Sequence, residues 1–226
     1  MVVYHMGGVQ TVSEKSANAV SKATIQRLPM YLNCLKAKQQ DNIKNISARV
    51  IANELKFNEV QVRKDFASVS NLGGRPKTGY ETDILIADIE DFLGYNNTKT
   101  AVLVGVGQLG SALISYKGFE EYGLNIVAGF DVNPTIIGDD TKRIKVYHLD
   151  SIKPVCKSLG VKMGIITVPS ENAQLVCDKL VESGILAIWN FAPIHLKVPD
   201  NILVHNENMA VSLAFLSKHL EETLLK

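Results

Sequence analysis

The chain has 226 residues, of which 46% are apolar and 21% charged, and its net charge at pH 7 is +1. This composition is typical of a soluble globular protein, and no apolar run approaches the ~18 residues of a membrane span. The opening residues lack both a basic start and a sustained apolar block, so the sequence predicts no signal peptide and a cytoplasmic protein.

Positive charge is concentrated in the amino-terminal part of the chain. Between Lys22 and Lys77 there are eleven Lys and Arg residues and four Asp and Glu residues, whereas Tyr80 to Tyr95 holds five acids and no base. Such a basic block indicates a polyanionic partner, and a solvated basic surface is the alternative.

Residues 1–20 are polar and aperiodic, and we expect them to form a flexible N-terminal arm. A first domain is predicted over residues 21–95. Its first helix should begin after an N-cap at Ser21 and be kinked or restarted by Pro29. The apolar stripe of this helix is Ile25, Leu28, Leu32 and Leu35. A second helix is predicted with Ser47 as its N-cap and an inward face of Val50, Ile51 and Leu55.

A third helix follows the short joint 56–58, with Asn58 as its expected N-cap and an inward stripe of Val62, Phe66 and Val69. Two short helices joined by a three-residue turn make a helix-turn-helix, whose second helix can enter the major groove of DNA. An ordinary solvated helix face is the alternative for each polar residue. The residues expected to reach bases or phosphates from this motif are Ser47, Asn58, Gln61, Arg63, Lys64 and Ser68.

The basic, glycine-bracketed loop 72–80 predicts the tip of a β-hairpin, although a flexible surface turn is the alternative. A helix-turn-helix followed by such a hairpin is typical of a winged helix, in which Arg75 and Lys77 would reach the minor groove or the phosphates. A linking helix is predicted from Thr82 to Leu93, with Leu85, Ile89 and Phe92 as its apolar residues, and the domain boundary at 96–98.

The second predicted domain, residues 96–206, opens with the strand AVLVG, a turn with the spacing Gly105-x-Gly107-x-x-Gly110, and a helix from about Gln108. This strand-turn-helix setting is typical of dinucleotide-binding proteins. Gly105 permits the tight turn, Gly107 lets the backbone approach a pyrophosphate, and Gly110 lets the helix pack on the strand.

A second strand ends at Asp131, 21 positions after Gly110. A carboxylate there can bind both ribose hydroxyls and repel a 2′-phosphate, which favours NAD(H) over NADP(H), and a turn-forming role is the alternative. Further strands at 163–168, 185–190 and 202–204, with a helix at about 170–183, predict a doubly wound parallel α/β sheet whose ligand crevice lies at the strands' carboxyl ends. The residues expected to bind the dinucleotide are Gly105, Val106, Gly107, Gln108, Leu109, Gly110, Asp131, Thr167, Val168, Pro169, Asn190, Phe191, Ala192 and Pro193.

A terminal helix is predicted over residues 207–226. Its apolar stripe is Met209, Leu213, Leu216, Leu220 and Leu224, and Val211 and Phe215 are apolar as well. So much apolar surface on a terminal helix predicts burial against a partner chain, and packing within the chain is the alternative.

The sequence argues against an enzyme. A dehydrogenase needs a proton donor or acceptor beside the hydride path, and the chain offers no Tyr-x-x-x-Lys, no Cys with an evident His partner and no metal cluster. Cys34, Cys156 and Cys177 are expected to be reduced thiols, and redox sensing by sulfur is the alternative. The dinucleotide is then a signal and not a cosubstrate. The competing interpretations are a small NAD-dependent dehydrogenase with a nucleic-acid appendage and a CoA-binding interaction module.

From about Ser21 to Leu225 the chain resembles the Rex family of redox-sensing transcriptional repressors. The segments that carry the resemblance are SKATIQRLP (21–29), QVRKD (61–65), the glycine turn with YKGF (116–119), TVP (167–169) and NFAP (190–193). The resemblance implies a homodimer that binds an inverted-repeat operator on double-stranded DNA. It also implies C-terminal helices exchanged between subunits, and release from DNA when NADH replaces NAD+.

The resemblance places Tyr116 near the nicotinamide, and an apolar crevice there would penalise the positive charge of the oxidised ring. NADH must also bind the released conformation more tightly than the DNA-binding one, since equal affinity shifts nothing. Family members often carry Arg and Asp where this chain has Asn33 and Asn208. Our hypothesis is that the loss of this charged switch pair changes the balance between the two conformations, while Tyr116 is retained as a part of the switch.

Overall fold

The computed structural model describes residues 20–97, 99–138 and 143–225, so the predicted arm lies, apart from Val20, outside the described residues. The chain divides into two compact units, the first ending at Leu93 and the second beginning at Gly94. None of the helices in the described residues is long and apolar enough to span a membrane.

Within the described residues, the first unit contains four helices and a two-stranded antiparallel sheet. The helices are α1 (Lys22–Gln40), α2 (Ala48–Leu55), α3 (Glu59–Val69) and α4 (Thr82–Leu93), and the strands are β1 (Asn45–Ile46) and β2 (Tyr80–Glu81). Two predicted N-caps are confirmed: Ser21 Oγ accepts from Thr24 N at 3.1 Å, and Asn58 Oδ1 accepts from Val60 N at 2.8 Å. These side chains satisfy backbone donors that have no partner within the helix.

The core of the first unit follows the predicted helical stripes. Fully buried positions include Leu28, Leu32, Leu35, Ile51, Val62, Phe66, Leu85 and Ile89. Tyr31 packs edge-on against Phe57 and Phe66, with ring centroids 5.8 and 5.5 Å apart. Such aromatic contacts stabilise a small core beyond simple area burial.

Several expectations for these helices were wrong. Ile25, Val50 and Phe92 are 43%, 43% and 40% exposed. On α2 the buried residues are Ala48, Ile51 and Ala52, and Val50 lies off this face because adjacent helical residues differ by about 100° in direction. Pro29 does not restart α1, which continues for 19 residues, and the alternative of a kink stays a prediction. The stripe that α1 buries on both sides of Pro29 compensates for the missing backbone donor.

The basic loop forms a smaller hairpin than predicted. Arg75 and Gly79 exchange backbone hydrogen bonds of 2.7 and 2.9 Å around a tight turn in which Lys77 has a φ of 69°. The strand beyond it, β2, pairs with β1. Gly79 has a φ of 80°, and a Cβ there would lie 2.3 Å from the Ile46 carbonyl oxygen, so this close strand contact requires glycine.

The second unit is a parallel sheet with helices. Its strands are β3 (Lys99–Val104), β4 (Leu124–Asp131), β5 (Val146–His148), β6 (Met163–Ile166), β7 (Ala187–Asn190) and β8 (Leu203–Asn206). Its helices are α5 (Gln108–Ser115), α6 (Gly118–Glu121), α7 (Ile152–Leu159), α8 (Ser170–Glu182) and α9 (Met209–Leu224). The sequence did not indicate β5, α6 or α7, which are short.

The strand order in the described sheet is β5-β4-β3-β6-β7-β8, with every pairing parallel. Numbered within the unit this is 3-2-1-4-5-6, the order of dinucleotide-binding Rossmann sheets, which confirms the predicted doubly wound fold. Apolar residues cover both faces: Val102 and Val104 contribute to one core cluster, and Ala101 and Leu103 to the other. The topological switch point, where ligands bind such sheets, lies between β3 and β6.

Candidate dinucleotide and nucleic-acid sites

A cavity of about 300 Å3 opens at the switch point of the sheet. Six predicted residues line it, namely Gly105, Gly107, Asp131, Thr167, Val168 and Pro169. Six more were not predicted, namely Val104, Val132, Leu149, Asn172, Leu175 and Val176. Its volume is in the range of small-molecule sites.

The glycine turn is shaped by close contacts. Gly105 has a φ of 99°, and a Cβ there would lie 2.8 Å from a methyl carbon of Val168. At Gly110 a Cβ would lie 2.0 Å from the Gly105 carbonyl oxygen. Gly107 differs: nothing lies within 4 Å of its Cβ position, and it is the N-cap of α5. The start of α5 therefore presents backbone N–H groups to an open cavity, an arrangement suited to an anion.

Asp131 joins the turn to the end of β4. Its Oδ2 accepts from Val106 N at 2.7 Å, and its Oδ1 accepts from Val132 N and Asn133 N at 2.8 and 2.9 Å. The carboxylate therefore also has the turn-forming role that the sequence left open. It is half-buried and lines the cavity, so a ligand hydroxyl can still reach it.

Thr167 ties the end of β6 to the same turn. Its hydroxyl lies 2.7 Å from the Gly105 carbonyl oxygen and 3.1 Å from that of Val104. The unpredicted wall residues Val132, Leu149, Leu175 and Val176 make the side beyond Asp131 apolar. An apolar wall of this kind can pack on the flat face of an aromatic ring. Leu149 was not predicted because it follows β5, a strand that the sequence did not indicate. Leu175 and Val176 were not predicted because they belong to the second turn of α8.

The predicted segment 190–193 lies at the end of β7. The Asn190 side chain is fully buried: Oδ1 accepts from Ala192 N at 3.0 Å, and Nδ2 donates to the carbonyl oxygens of Ala192 and Ile194 and to Asn206 Oδ1. Asn190 therefore shapes the loop that carries Phe191 and Pro193. Of the remaining predicted residues, Val106 is buried, whereas Gln108 and Leu109 are exposed at the start of α5.

A series of aromatic rings connects Tyr116 with this loop. Successive ring centroids are 5.0 Å apart for Tyr116 and Phe119, 5.6 Å for Phe119 and Trp189, and 4.9 Å for Trp189 and Phe191. Tyr116 is 53% exposed, so its ring is available to a ligand or partner. Trp189 Nε1 donates to Glu207 Oε1 at 3.0 Å, just before α9.

On the first unit, a groove of about 390 Å3 separates the start of α3 from the hairpin. Four of the predicted DNA-contacting residues line it, namely Ser47, Arg63, Arg75 and Lys77. The other four, Asn58, Gln61, Lys64 and Ser68, are exposed at the start of α3 or on its surface. The Asn58 oxygen is used for capping, and Ser47 makes no side-chain capping bond in the part of the chain that the structure describes.

The arginines of this surface are paired with carboxylates. Glu59 accepts from Arg49 at 2.9 Å and also contacts Arg63, and Arg75 lies 3.1 Å from Glu81. Exposed pairs of this kind contribute little stability, typically about 0–1 kcal/mol. A phosphate can therefore replace the carboxylates at small cost.

A buried carboxylate that the sequence did not single out connects α1 with α3. Asp65 is 2% exposed and accepts from Thr24, Arg27, Tyr31 and Gln61, at distances of 2.7 to 3.1 Å. We call these five residues the Asp65 cluster. Burial alone would raise the pKa of Asp65, but the hydrogen bonds from Arg27, Tyr31, Gln61 and Thr24 outweigh it and lower the pKa. Burial and the hydrogen bond to Asp65 raise the pKa of Tyr31 to about 12.

The predicted switch residues lie in different units. Asn33 is exposed on α1. Asn208 is the N-cap of α9, and its Oδ1 accepts from Val211 N at 3.3 Å.

The fold and its two sites define a class of protein: a DNA-binding regulator whose sheet has a dinucleotide-binding turn. Two family models match separate parts of the chain. One, described as "CoA binding domain", matches residues 96–194, and the other, described as "Putative DNA-binding protein N-terminus", matches residues 19–67.

Relatives over nearly the whole chain define the family. The redox-sensing transcriptional repressor Rex of Bacteroides fragilis is 40% identical, covering 92% of this chain and 94% of the relative. That of Treponema denticola is 40% identical, covering 85% and 91%. The chain belongs to the Rex family of redox-sensing transcriptional repressors, and is therefore a repressor and not an enzyme.

Solved structures agree. RSP is a Rex-family repressor, and its crystal structure with β-NAD+ and operator DNA superposes with a TM-score of 0.84 at 34% identity, covering 92% of this chain and 95% of that one. Its structure with β-NADH gives a TM-score of 0.82 at 34% identity, covering 92% and 97%. These matches confirm a winged helix joined to a Rossmann-like domain.

Proposed function

We propose that a cytoplasmic homodimer of this chain binds an inverted-repeat DNA operator when the NADH/NAD+ ratio is low and leaves it when NADH binds. One observation carries the proposal: the switch-point cavity with its glycine turn and Asp131 occurs in the same chain as the groove between α3 and the basic hairpin. The crystal structures of RSP, with β-NAD+ and operator DNA or with β-NADH, support the combination of a dinucleotide site and a DNA site in one chain.

In this proposal residues 21–95 bind DNA, 96–206 bind NADH or NAD+, and 207–226 form a helix exchanged between subunits. The pyrophosphate lies at the start of α5, the adenosine ribose is bound by Asp131, and the nicotinamide lies toward Phe191 and Tyr116. An apolar surface there favours the uncharged reduced ring. Release requires the two winged helices to lose the spacing of about 34–36 Å that matches one turn of DNA.

The experiment is a gel shift with an inverted-repeat operator from a gene set that responds to redox state, at fixed salt, with and without NADH. We expect a retarded complex that NADH dissociates and NAD+ does not. The affinity for the operator should fall strongly as the salt concentration rises. A complex that is equally stable with both nucleotides would contradict the proposal.

The dimer should depend on α9. No residue of this helix, all of which is described, is buried within the chain, and Phe215 and Leu216 are 66% and 65% exposed. We expect Leu216→Glu to weaken dimerisation at least about 100-fold, because an unpaired charge in an apolar interface costs several kcal/mol. Sedimentation velocity measures this.

The matched control for this variant is Ala214→Glu. It introduces the same side chain on the opposite side of α9, because helical residues two positions apart differ by about 200° in direction. Glutamate is also a good helix former, so both variants should keep α9 helical. Ala214→Glu should remain dimeric, and equal behaviour of the two variants would contradict the assignment.

Redox sensing should not involve the cysteines. Burial raises the pKa of Cys34 and of Cys177 to about 11 and also raises the pKa of Cys156, and the three thiols are 7%, 0% and 1% exposed. Because the thiolate is the reactive form, we expect Ellman's reagent to label no cysteine of the native protein within minutes and all three after denaturation. Rapid labelling of the native protein would instead point to a thiol sensor.

The neutral pair Asn33 and Asn208 should set the sensitivity of the switch. If the ion pair of other family members contributes to one conformation, Asn33→Arg/Asn208→Asp will change the NADH concentration that releases the operator. Asp is also an effective N-cap, so the start of α9 should tolerate the change. An unchanged release curve in the double variant would remove this hypothesis.

A CoA-binding module is the second candidate, because one matching family model is described as a CoA binding domain. Asp131 argues against it, since a carboxylate at the ribose repels a phosphorylated sugar. Calorimetric titration distinguishes the two: NADH should bind, and CoA should neither bind nor compete.

A further inference from the structure

We propose that Gln61 selects adenine at one position of each operator half-site, and that Asp65 positions the Gln61 amide for this readout. The inference rests on the proposed DNA binding and adds its base specificity.

Gln61 is an exposed residue in the first turn of α3, the part of a recognition helix that faces base edges. Its Nε2 lies 2.9 Å from Asp65 Oδ1, one turn further along the helix. The other amide near this end of α3, that of Asn58, uses its oxygen to accept from Val60 N. Gln61 is thus the amide of this region whose oxygen accepts no hydrogen bond from the described residues.

The surroundings of Asp65 allow only one orientation of the Gln61 amide. An ionised carboxylate accepts hydrogen bonds and cannot donate one, so the amide nitrogen of Gln61, and not its oxygen, must face Asp65. Asp65 is kept ionised by the Arg27 guanidinium, whose Nε and Nη2 lie 2.7 and 2.9 Å from its two oxygens. Tyr31 and Thr24 donate to the same carboxylate and hold it in place.

This orientation leaves one N–H and the oxygen of Gln61 facing outward. Adenine presents the matching pair in the major groove, an acceptor at N7 and a donor at N6, and a bidentate contact of this type discriminates between bases. Guanine presents two acceptors, N7 and O6, so its O6 would face the Gln61 oxygen. Because the amide is oriented before DNA arrives, less side-chain freedom is lost on binding.

The first test is selection from a randomised double-stranded DNA library by the full-length protein, followed by sequencing. Wild type should select an inverted repeat, and Gln61→Ala should lose the preference for adenine at one symmetric position while other positions keep theirs. Gln39→Ala, which removes an exposed amide from α1, outside the helix-turn-helix, should match wild type. If wild type selects no repeat, the proposed function fails; if it selects one and Gln61→Ala selects the same one, only this inference fails.

The second test modifies the DNA. Replacing the identified adenine by 7-deazaadenine removes N7, and replacing it by purine removes the N6 amino group. Exchanging its A·T pair for G·C should weaken wild-type binding roughly 5- to 150-fold. Each analogue should cause part of that loss of affinity. The affinity of Gln61→Ala should not change with any of these replacements. Equal losses in both proteins would overturn the proposal.

The role of Asp65 is tested by Asp65→Asn, because an amide at this position can donate to the Gln61 oxygen as well as accept from its nitrogen. We expect the ratio of affinities for adenine and guanine to narrow at the Gln61 position alone. A uniform loss across all positions would show that Asp65 acts through stability and does not orient Gln61. Should this variant fail to fold, the modified bases still test the inference with wild-type protein.

Discussion

Gly107→Ala is expected to abolish the response to NADH and leave the fold and operator binding intact. The backbone φ of Gly107 is −73°, which any residue adopts, and nothing lies within 4 Å of the position of an added Cβ. The new methyl group would occupy the space through which a pyrophosphate approaches the start of α5. Losing two charge-assisted hydrogen bonds of about 1.5–3 kcal/mol each predicts a drop in NADH affinity of about 100-fold or more.

Titration calorimetry with NADH measures this loss, and thermal unfolding measures the fold. Ser115→Ala, at the far end of α5, is the matched control and should bind NADH normally. Gly110→Ala should behave differently from Gly107→Ala, because its Cβ would lie 2.0 Å from the Gly105 carbonyl oxygen and the variant should lose stability as well. A folded Gly107→Ala protein with undiminished NADH affinity would rule out the pyrophosphate at this helix.

Asp65→Ala is expected to destabilise the first unit by about 3–5 kcal/mol, because it leaves the guanidinium of Arg27 and the hydroxyl of Tyr31 without their shared acceptor. Operator binding should be lost with the fold of this unit, while NADH binding by the second unit should persist. Chemical denaturation followed by circular dichroism measures the change. Asp83→Asn is the control, since Asp83 accepts from Gln39 on an exposed surface and should contribute little.

Low pH should also destabilise the first unit of the wild-type protein. The pKa of Asp65 is lowered in the folded state, whereas an aspartate in an unfolded chain titrates near about 3.9. Its contribution to stability is therefore fully present above about pH 4 and is lost as the pH falls through the lower folded-state value. The free energy of unfolding of wild type should fall more steeply than that of Asp65→Ala in this range. Parallel curves would mean that Asp65 is not the titrating group.

Much of the fold could be predicted because local chemistry and tertiary packing agree. The glycine spacing at 105–110, the caps at Ser21 and Asn58 and the stripe of α3 each specify a local structure that packing preserves. Predictions failed where neighbours decide the outcome. Val50 is apolar yet exposed because α2 is short and presents Ala48, Ile51 and Ala52 inward. Pro29 lies inside α1 because buried residues on both sides keep the helix together.

The residues of the candidate sites likewise fall into those that the sequence predicted and those that it did not. Residues that a motif places at the switch point, such as Gly107, Asp131 and Thr167, could be predicted from the sequence, and they line the cavity. The apolar wall could not, since Leu149 and Leu175 come from elements far apart in sequence that meet only in the folded sheet. Asp65 was also missed, because a single carboxylate on a helix is expected to be exposed. Its partners Thr24, Arg27 and Tyr31 lie on another helix and contact it only in the folded protein.

The aromatic series that ends at Tyr116 has a practical consequence. Its third ring belongs to Trp189, and the chain contains one tryptophan. Tryptophan fluorescence of the unmodified protein therefore reports on one site, where Trp189 of β7 donates to Glu207 just before α9. Its absorption and emission make it a built-in donor for energy transfer to reduced nicotinamide, so occupancy can be followed optically without attaching a label.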